Sequence, residues 1–221
     1  MIKAIIFDFD GLILDTETPW FHAYREMFEE LGAQLPLDEW AKGIGTDYNH
    51  FNPLDYLEEQ IGRTVDRAQF GRQAGVKHVA LLQAMTVRPG VVNYLQAAQR
   101  LGLRIGLASS SSRSWVEKYL QQYELYAYFE VIRTKEDVVK VKPDPELYLQ
   151  ALEHLGVRHT EAIVFEDSLN GLQAAKAAGI YCVVVPNTVT SQLNFSNHDL
   201  RLASMEEMRL EDILIKIGDG L

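Results

Sequence analysis

The 221-residue sequence predicts a doubly wound α/β fold, a parallel sheet core with an all-helical insertion after its first strand. Three observations carry that prediction. Short apolar runs alternate with helical patterns in the last two thirds of the chain. Glycines stand just past several of those helical patterns. Between the first apolar run and the second lies a stretch with helical spacing and no strand.

The first run, "KAIIFD" at 3–8, reads as a buried parallel strand, as do "LRIGLAS" at 103–109, "EAIVFED" at 161–167 and "YCVVVP" at 181–186. After the first strand, Thr18 is placed to cap a helix with Pro19 at its first position, and "WFHAYREMFEELG" carries that helix to Gly32. Further helices are expected near 53–61 and 66–85. "VRPG" at 87–90 then resets the chain, with Pro89 opening the next helix. Helical periods follow at 91–102, 114–123, 145–156 and 169–179, and Gly102, Gly156 and Gly179 sit where a C-cap requires positive φ. The expected domains are therefore an α/β core of residues 1–15 and 86–221 and a helical cap of residues 16–85.

Composition narrows the function classes. The chain is 47% hydrophobic and 24% charged, ordinary for a soluble globular protein, and its formal net charge is −10. That balance argues against binding nucleic acid or an anionic membrane, both of which need a basic surface. The single cysteine, Cys182, excludes a disulfide framework and a cysteine-based zinc site. No stretch reaches the length of a membrane span, the start does not read as a signal peptide, and a cytoplasmic monomer is expected.

Ligands of open α/β sheets bind beyond the carboxyl ends of the strands. There the first strand ends in Asp8-Phe9-Asp10-Gly11, the second in Ser109 and its serine run, and the strand at 161–165 in Glu166-Asp167-Ser168; Lys142 precedes the helix at 145. Each piece alone has a structural alternative: a turn for Asp-x-Asp-Gly, helix caps for the serines and Asp167, a surface position for Lys142. Four segments delivering four carboxylates, a hydroxyl and a lysine to one crevice are harder to explain as caps. Such a donor set favours a hard cation, Mg²⁺ before zinc, and the six histidines show no metal-ligand spacing. An aspartate beside that ion is able to attack phosphorus, and a second carboxyl to protonate the leaving alkoxide and later activate water. Asp8 and Asp10 fit these two roles, with Ser109 and Lys142 as phosphoryl binders.

With these pieces in order, "DFDGLILDT", "GLASSS", "KPDPELY" and "VFEDSLNGLQAAKAAG", the sequence closely resembles the haloacid dehalogenase-like hydrolase superfamily. The insertion matches the helical cap of the branch holding β-phosphoglucomutase and phosphoglycolate phosphatase. The resemblance implies a Rossmann-like core, Asp8 as nucleophile, Asp10 as acid/base, and Ser109 and Lys142 on the phosphoryl group. It also implies Mg²⁺ held by the Asp8 carboxylate, the Asp10 main-chain carbonyl and Asp167, with Glu166 as a direct or water-mediated partner. A dehalogenase is disfavoured, because the dehalogenating branch lacks the second aspartate of the first motif.

Sugar phosphomutases of this branch carry a histidine after the first motif and an arginine in the first cap loop. Trp20 and Thr46 stand at the matching positions. The expectation is therefore a Mg²⁺-dependent phosphatase acting on a small phosphomonoester, possibly a sugar phosphate, through an aspartyl-phosphate. A sugar phosphomutase and a catalytically idle phosphate-binding protein are the alternatives. Substrate choice is expected in the cap, with Thr46 and Asp47 in "GIGTD" and the cation of Lys77 as candidates.

Overall fold

The computed structural model describes residues 1–41 and 51–218 and divides into two compact units. The first comprises Met1–Leu14, Val87–Pro186 and Phe195–Leu221; the second comprises Asp15–Thr86 and Asn187–Asn194.

The first unit is built on a six-stranded, all-parallel sheet. Its strands are β1 (Ala4–Phe7), β2 (Arg104–Ala108), β3 (Val131–Arg133), β4 (Ala162–Glu166), β5 (Tyr181–Val184) and β6 (Leu200–Arg201), in the spatial order β3-β2-β1-β4-β5-β6. The chain thus winds outward from β1 in both directions, and the order reverses at β1 and β4, where such sheets open a crevice. Every residue of β1 and β4 is buried, as continuous apolar runs require of strands covered on both faces. Register does the positioning. Phe7 pairs with Leu107 on one side and Phe165 on the other, so the residues that follow, Asp8, Ala108 and Glu166, emerge side by side.

The helices of this unit are α5 (Val91–Arg100), α6 (Arg113–Gln122), α7 (Glu146–Leu155), α8 (Leu169–Ala177) and α9 (Leu210–Gly218), where α1–α4 belong to the second unit. Phe7 stacks on Phe165 with ring centres 5.3 Å apart, and Tyr94 of α5 meets Phe165 edge-on at 5.2 Å. The buried Tyr94 hydroxyl donates to the Met208 carbonyl at 2.6 Å, so its polar end is satisfied.

The second unit holds α1 (Glu17–Glu30), α2 (Leu37–Ala41), α3 (Pro53–Ile61) and α4 (Arg67–Leu82). Its core gathers Phe21, Met27, Phe28, Leu35, Leu57, Phe70 and Ala74. The cap of α1 differs from the sequence reading. Asp15, and not Thr18, supplies the side chain, its carboxylate accepting from Thr18 N at 3.0 Å and Thr18 Oγ1 at 2.7 Å. A carboxylate three residues before the donating N–H meets the helix dipole better than a hydroxyl, which explains the preference. The segment 187–194, given to the core by the sequence boundaries, clusters with this unit because Val189 is fully buried in its apolar cluster. Asn187 fixes that turn, its Oδ1 accepting from Val189 N and Thr190 N at 2.9 Å each. No helix among the described residues is long and apolar enough to cross a membrane.

Candidate active site

The polar residues predicted at the strand ends meet in the first unit. Asp8 follows β1 and its N–H continues the ladder to Phe165 O at 3.0 Å. Three residues on, Gly11 adopts φ 84°, a left-handed conformation that glycine takes without strain, and the chain turns back on itself through Phe9 O. Arg88 braces this turn. Its Nη1 donates to Gly11 O and to Val185 O (3.0 Å), and its Nη2 to Pro186 O (2.8 Å), tying the loop after β1 to the end of β5.

Lys142 reaches the centre of the cluster. Its buried ammonium donates to Asp8 Oδ1 at 2.5 Å, to the Ala108 carbonyl at 2.7 Å and to Glu166 Oε1 at 2.7 Å, which accounts for all three of its protons. Two carboxylates and burial therefore act on one lysine. Desolvation alone would lower its proton affinity, but Asp8 and Glu166 outweigh it and hold the ammonium charged, well above the ordinary lysine value. Asp8 moves the other way. Burial first, then repulsion from Glu166, push its carboxyl up to about 8 against the opposing pull of Lys142.

Glu166 is fully buried and fully engaged. Oε1 accepts from Lys142 and from the Tyr148 hydroxyl (2.5 Å), and Oε2 from Asp167 N (3.1 Å) and Ser168 Oγ (3.1 Å). The cradle for this carboxylate depends on Gly171 in the first turn of α8: a Cβ there would lie 1.8 Å from the Glu166 carboxyl carbon. Burial and the neighbouring Glu166 and Asp8 charges keep the Tyr148 phenol neutral and able to donate.

Asp10 is held from a different element. Its Oδ1 accepts from the Trp115 indole Nε1 at 2.9 Å and its Oδ2 from the Ser111 hydroxyl at 2.5 Å. Ser109, buried at the end of β2, accepts from Ser111 N at 3.0 Å, so its hydroxyl is oriented by the loop that carries Ser111.

Asp8, Glu166 and Asp167 each place a carboxylate oxygen within 4.8 Å of the other two. An all-oxygen, buried, anionic donor set with Lys142 against it fits a hard divalent cation and does not fit a thiolate- or imidazole-seeking one. The raised Asp8 carboxyl is the electrostatic counterpart of that fit, since the group lacks enough positive charge around it. The Asp10 side chain lies outside this triad, engaged by Ser111 and Trp115, so any share it takes in the metal is through its main-chain carbonyl.

The structure thus brings together Asp8, Ser109, Lys142, Glu166 and Asp167, with Asp10 beside them on the β1 loop. The second-unit candidates are placed otherwise. Lys77 of α4 pairs with Glu26 at 2.6 Å and Glu30 at 2.9 Å on α1, the arrangement of an ordinary surface lysine. Thr46 and Asp47 lie outside the described residues. Sequence reasoning missed Arg88, Ser111, Trp115, Tyr148 and Gly171. Of these, Ser111, Tyr148 and Gly171 lie within the four motifs quoted above but were given no role there, and Arg88 and Trp115 lie outside them.

Comparison with known proteins agrees with this geometry. The family model described as "Haloacid dehalogenase-like hydrolase" matches residues 5–185. The chain is 52% identical over 214 residues to "Putative phosphatase YhcW" of Bacillus subtilis, covering 97% of each. It is 30% identical over 216 residues to hexitol phosphatase B of Escherichia coli K12, covering 96% of this chain and 97% of that one. Among solved structures, a variant of CbbY from Rhodobacter sphaeroides in complex with xylulose-(1,5)bisphosphate superposes with a TM-score of 0.68 at 30% identity, over 94% of this chain and 96% of that one. The chain belongs to the haloacid dehalogenase-like hydrolase family.

Proposed function

We propose that this hydrolase is a Mg²⁺-dependent phosphatase that cleaves a small phosphomonoester of the sugar-phosphate class through an aspartyl-phosphate on Asp8. The observation that carries the reading is the buried Asp8–Lys142–Glu166 cluster, with Asp10 two residues from Asp8 and held by its own donors. The names of the relatives, phosphatases for the most part, support the substrate class.

A carboxylate oxygen of Asp8 attacks phosphorus, and the bond from phosphorus to the ester oxygen breaks. The departing alkoxide takes its proton from the Asp10 carboxyl. Water then attacks the phosphorus of the acyl phosphate and gives a proton to the Asp10 carboxylate. Inorganic phosphate leaves, and Asp8 and Asp10 return to their starting states. Lys142 has no spare proton before the reaction; once Asp8 is esterified, the N–H it gave to Asp8 is free to turn to a phosphoryl oxygen. Ser109 supplies a neutral donor on the same group.

Asp8, Asp167 and the Asp10 carbonyl are the oxygens we assign to Mg²⁺. Glu166, with both oxygens committed to protein donors, is assigned to holding Lys142 and not to direct ligation. When bound, the ion offsets the repulsion between these carboxylates and a phosphate dianion. The test is phosphate release from a panel of phosphorylated metabolites with Mg²⁺ present. Release from sugar phosphates that disappears in Asp8→Asn supports the reading, and a panel with no release overturns it.

A further inference from the structure

The contact between Trp115 and Asp10 has no part in the phosphoryl or metal contacts described above, and α6 is not an element that motif reasoning assigns to proton transfer. Trp115 is the third residue of α6, half-buried, its ring set edge-on against Tyr119 at 4.7 Å and its main-chain N–H received by the N-cap Ser112. Packing and cap together fix the indole so that Nε1 points at Asp10 Oδ1, 2.9 Å away. The two donors on this carboxylate differ in chemistry. An indole N–H only donates; it has no lone pair with which to accept a proton from a carboxyl O–H. The Ser111 hydroxyl, 2.5 Å from Oδ2, both donates and accepts.

We infer that Trp115 is a positioning residue for the acid/base carboxylate: its indole N–H reserves Oδ1 of Asp10 as an acceptor and confines the transferable proton to Oδ2, beside Ser111. The inference rests on the reading of Asp10 as acid/base. With the indole in place the protonated carboxyl has one arrangement, and the proton faces the leaving group from a fixed oxygen. With the indole N–H removed, Oδ1 is no longer reserved as an acceptor and either oxygen takes the proton. Proton delivery to a poor leaving group then suffers, while binding and nucleophilic attack do not.

The experiment compares Trp115→Phe, which keeps a ring against Tyr119, with wild type and with Asp10→Asn. The readout is kcat/KM for two substrates: p-nitrophenyl phosphate, whose leaving group departs without a proton, and the alkyl phosphate that wild type hydrolyses fastest. Because kcat/KM stops at the first irreversible step, it reports leaving-group departure and not the later hydrolysis of the phosphoenzyme. Trp115→Phe is expected to lower kcat/KM for the alkyl phosphate about tenfold or more, a fraction of the full acid/base effect, and to leave p-nitrophenyl phosphate within about threefold. Equal loss on both substrates, or no loss on either, overturns the inference. If Asp10→Asn shows the leaving-group dependence and Trp115→Phe does not, the role of Trp115 fails and that of Asp10 stands. If Asp10→Asn itself shows none, the acid/base reading fails. A second measurement does not require the phenylalanine variant to fold. One of the three indole N–H cross-peaks of the ¹⁵N-labelled protein should move upfield in Asp10→Asn; three unmoved peaks contradict the contact.

Discussion

Replacing Asp8 by asparagine removes the proposed nucleophile and, in the absence of metal, removes a source of instability. Burial and the Glu166 charge lift the Asp8 carboxyl from 3.8 to about 8. The folded protein therefore holds a proton there that the unfolded chain releases, and wild-type stability falls as pH rises through the window from 3.8 to about 8. At pH 7 the interval is about three pH units, each worth about 1.4 kcal/mol, which sets a ceiling of about 4 kcal/mol. Asparagine keeps an oxygen for Lys142 but puts an amide NH2 where the carboxyl had its second oxygen, which offsets part of that gain. The net gain expected is about 1–3 kcal/mol, or several degrees in Tm for a chain of this size. The assay is thermal unfolding of both proteins in chelator at pH 4 and pH 7. The advantage of Asp8→Asn should be present at pH 7, vanish toward pH 4, and shrink or reverse at pH 7 when Mg²⁺ is added. A variant no more stable than wild type at pH 7 without metal would refute the electrostatic argument.

Three further outcomes are expected. Chelation should abolish phosphate release and Mg²⁺ restore it, with Ca²⁺ a poor substitute because its looser coordination misplaces the nucleophile; activity undiminished after exhaustive metal removal counts against the assignment. Gly171→Ala should cost about 1–3 kcal/mol in denaturant unfolding and most of the activity, because its methyl group and the Glu166 carboxylate claim the same space. Glucose 1-phosphate should not pass efficiently to glucose 6-phosphate even with a bisphosphate activator, as expected from Thr46 where a mutase would carry arginine; conversion faster than phosphate release would reverse that ranking.

The legible parts of this fold are those whose local signal is long enough to survive without tertiary context. The strands β1, β2, β4 and β5 are four or five residues dominated by apolar side chains, and a polar residue at the end of β4 and just after β1 and β2 marks the carboxyl edge of the sheet. By contrast β3 has three residues and β6 two, below the length at which a strand pattern separates from a loop. Helix α9 was not read from the sequence, although Leu210, Ile213 and Ile217 carry a helical spacing. Asp8, Ser109, Lys142, Glu166 and Asp167 were legible because their residue types are costly to bury singly and sensible to bury together. Trp115 and Tyr148 were not, because each looks like an ordinary aromatic on an amphipathic helix, and only the folded chain shows a carboxylate at its polar tip. Arg88 was hidden for a related reason: its three carbonyl partners, on Gly11, Val185 and Pro186, are backbone groups far away in sequence.

The central claim is covalent transfer of the phosphoryl group to Asp8. Rapid quenching of the Mg²⁺-loaded enzyme with ³²P-labelled substrate tests it most directly. The account predicts a labelled protein within the first turnover, stable to acid, discharged by hydroxylamine as an acyl phosphate must be, and absent from Asp8→Asn. An active enzyme that never carries label, or an Asp8→Asn variant that still does, would contradict it.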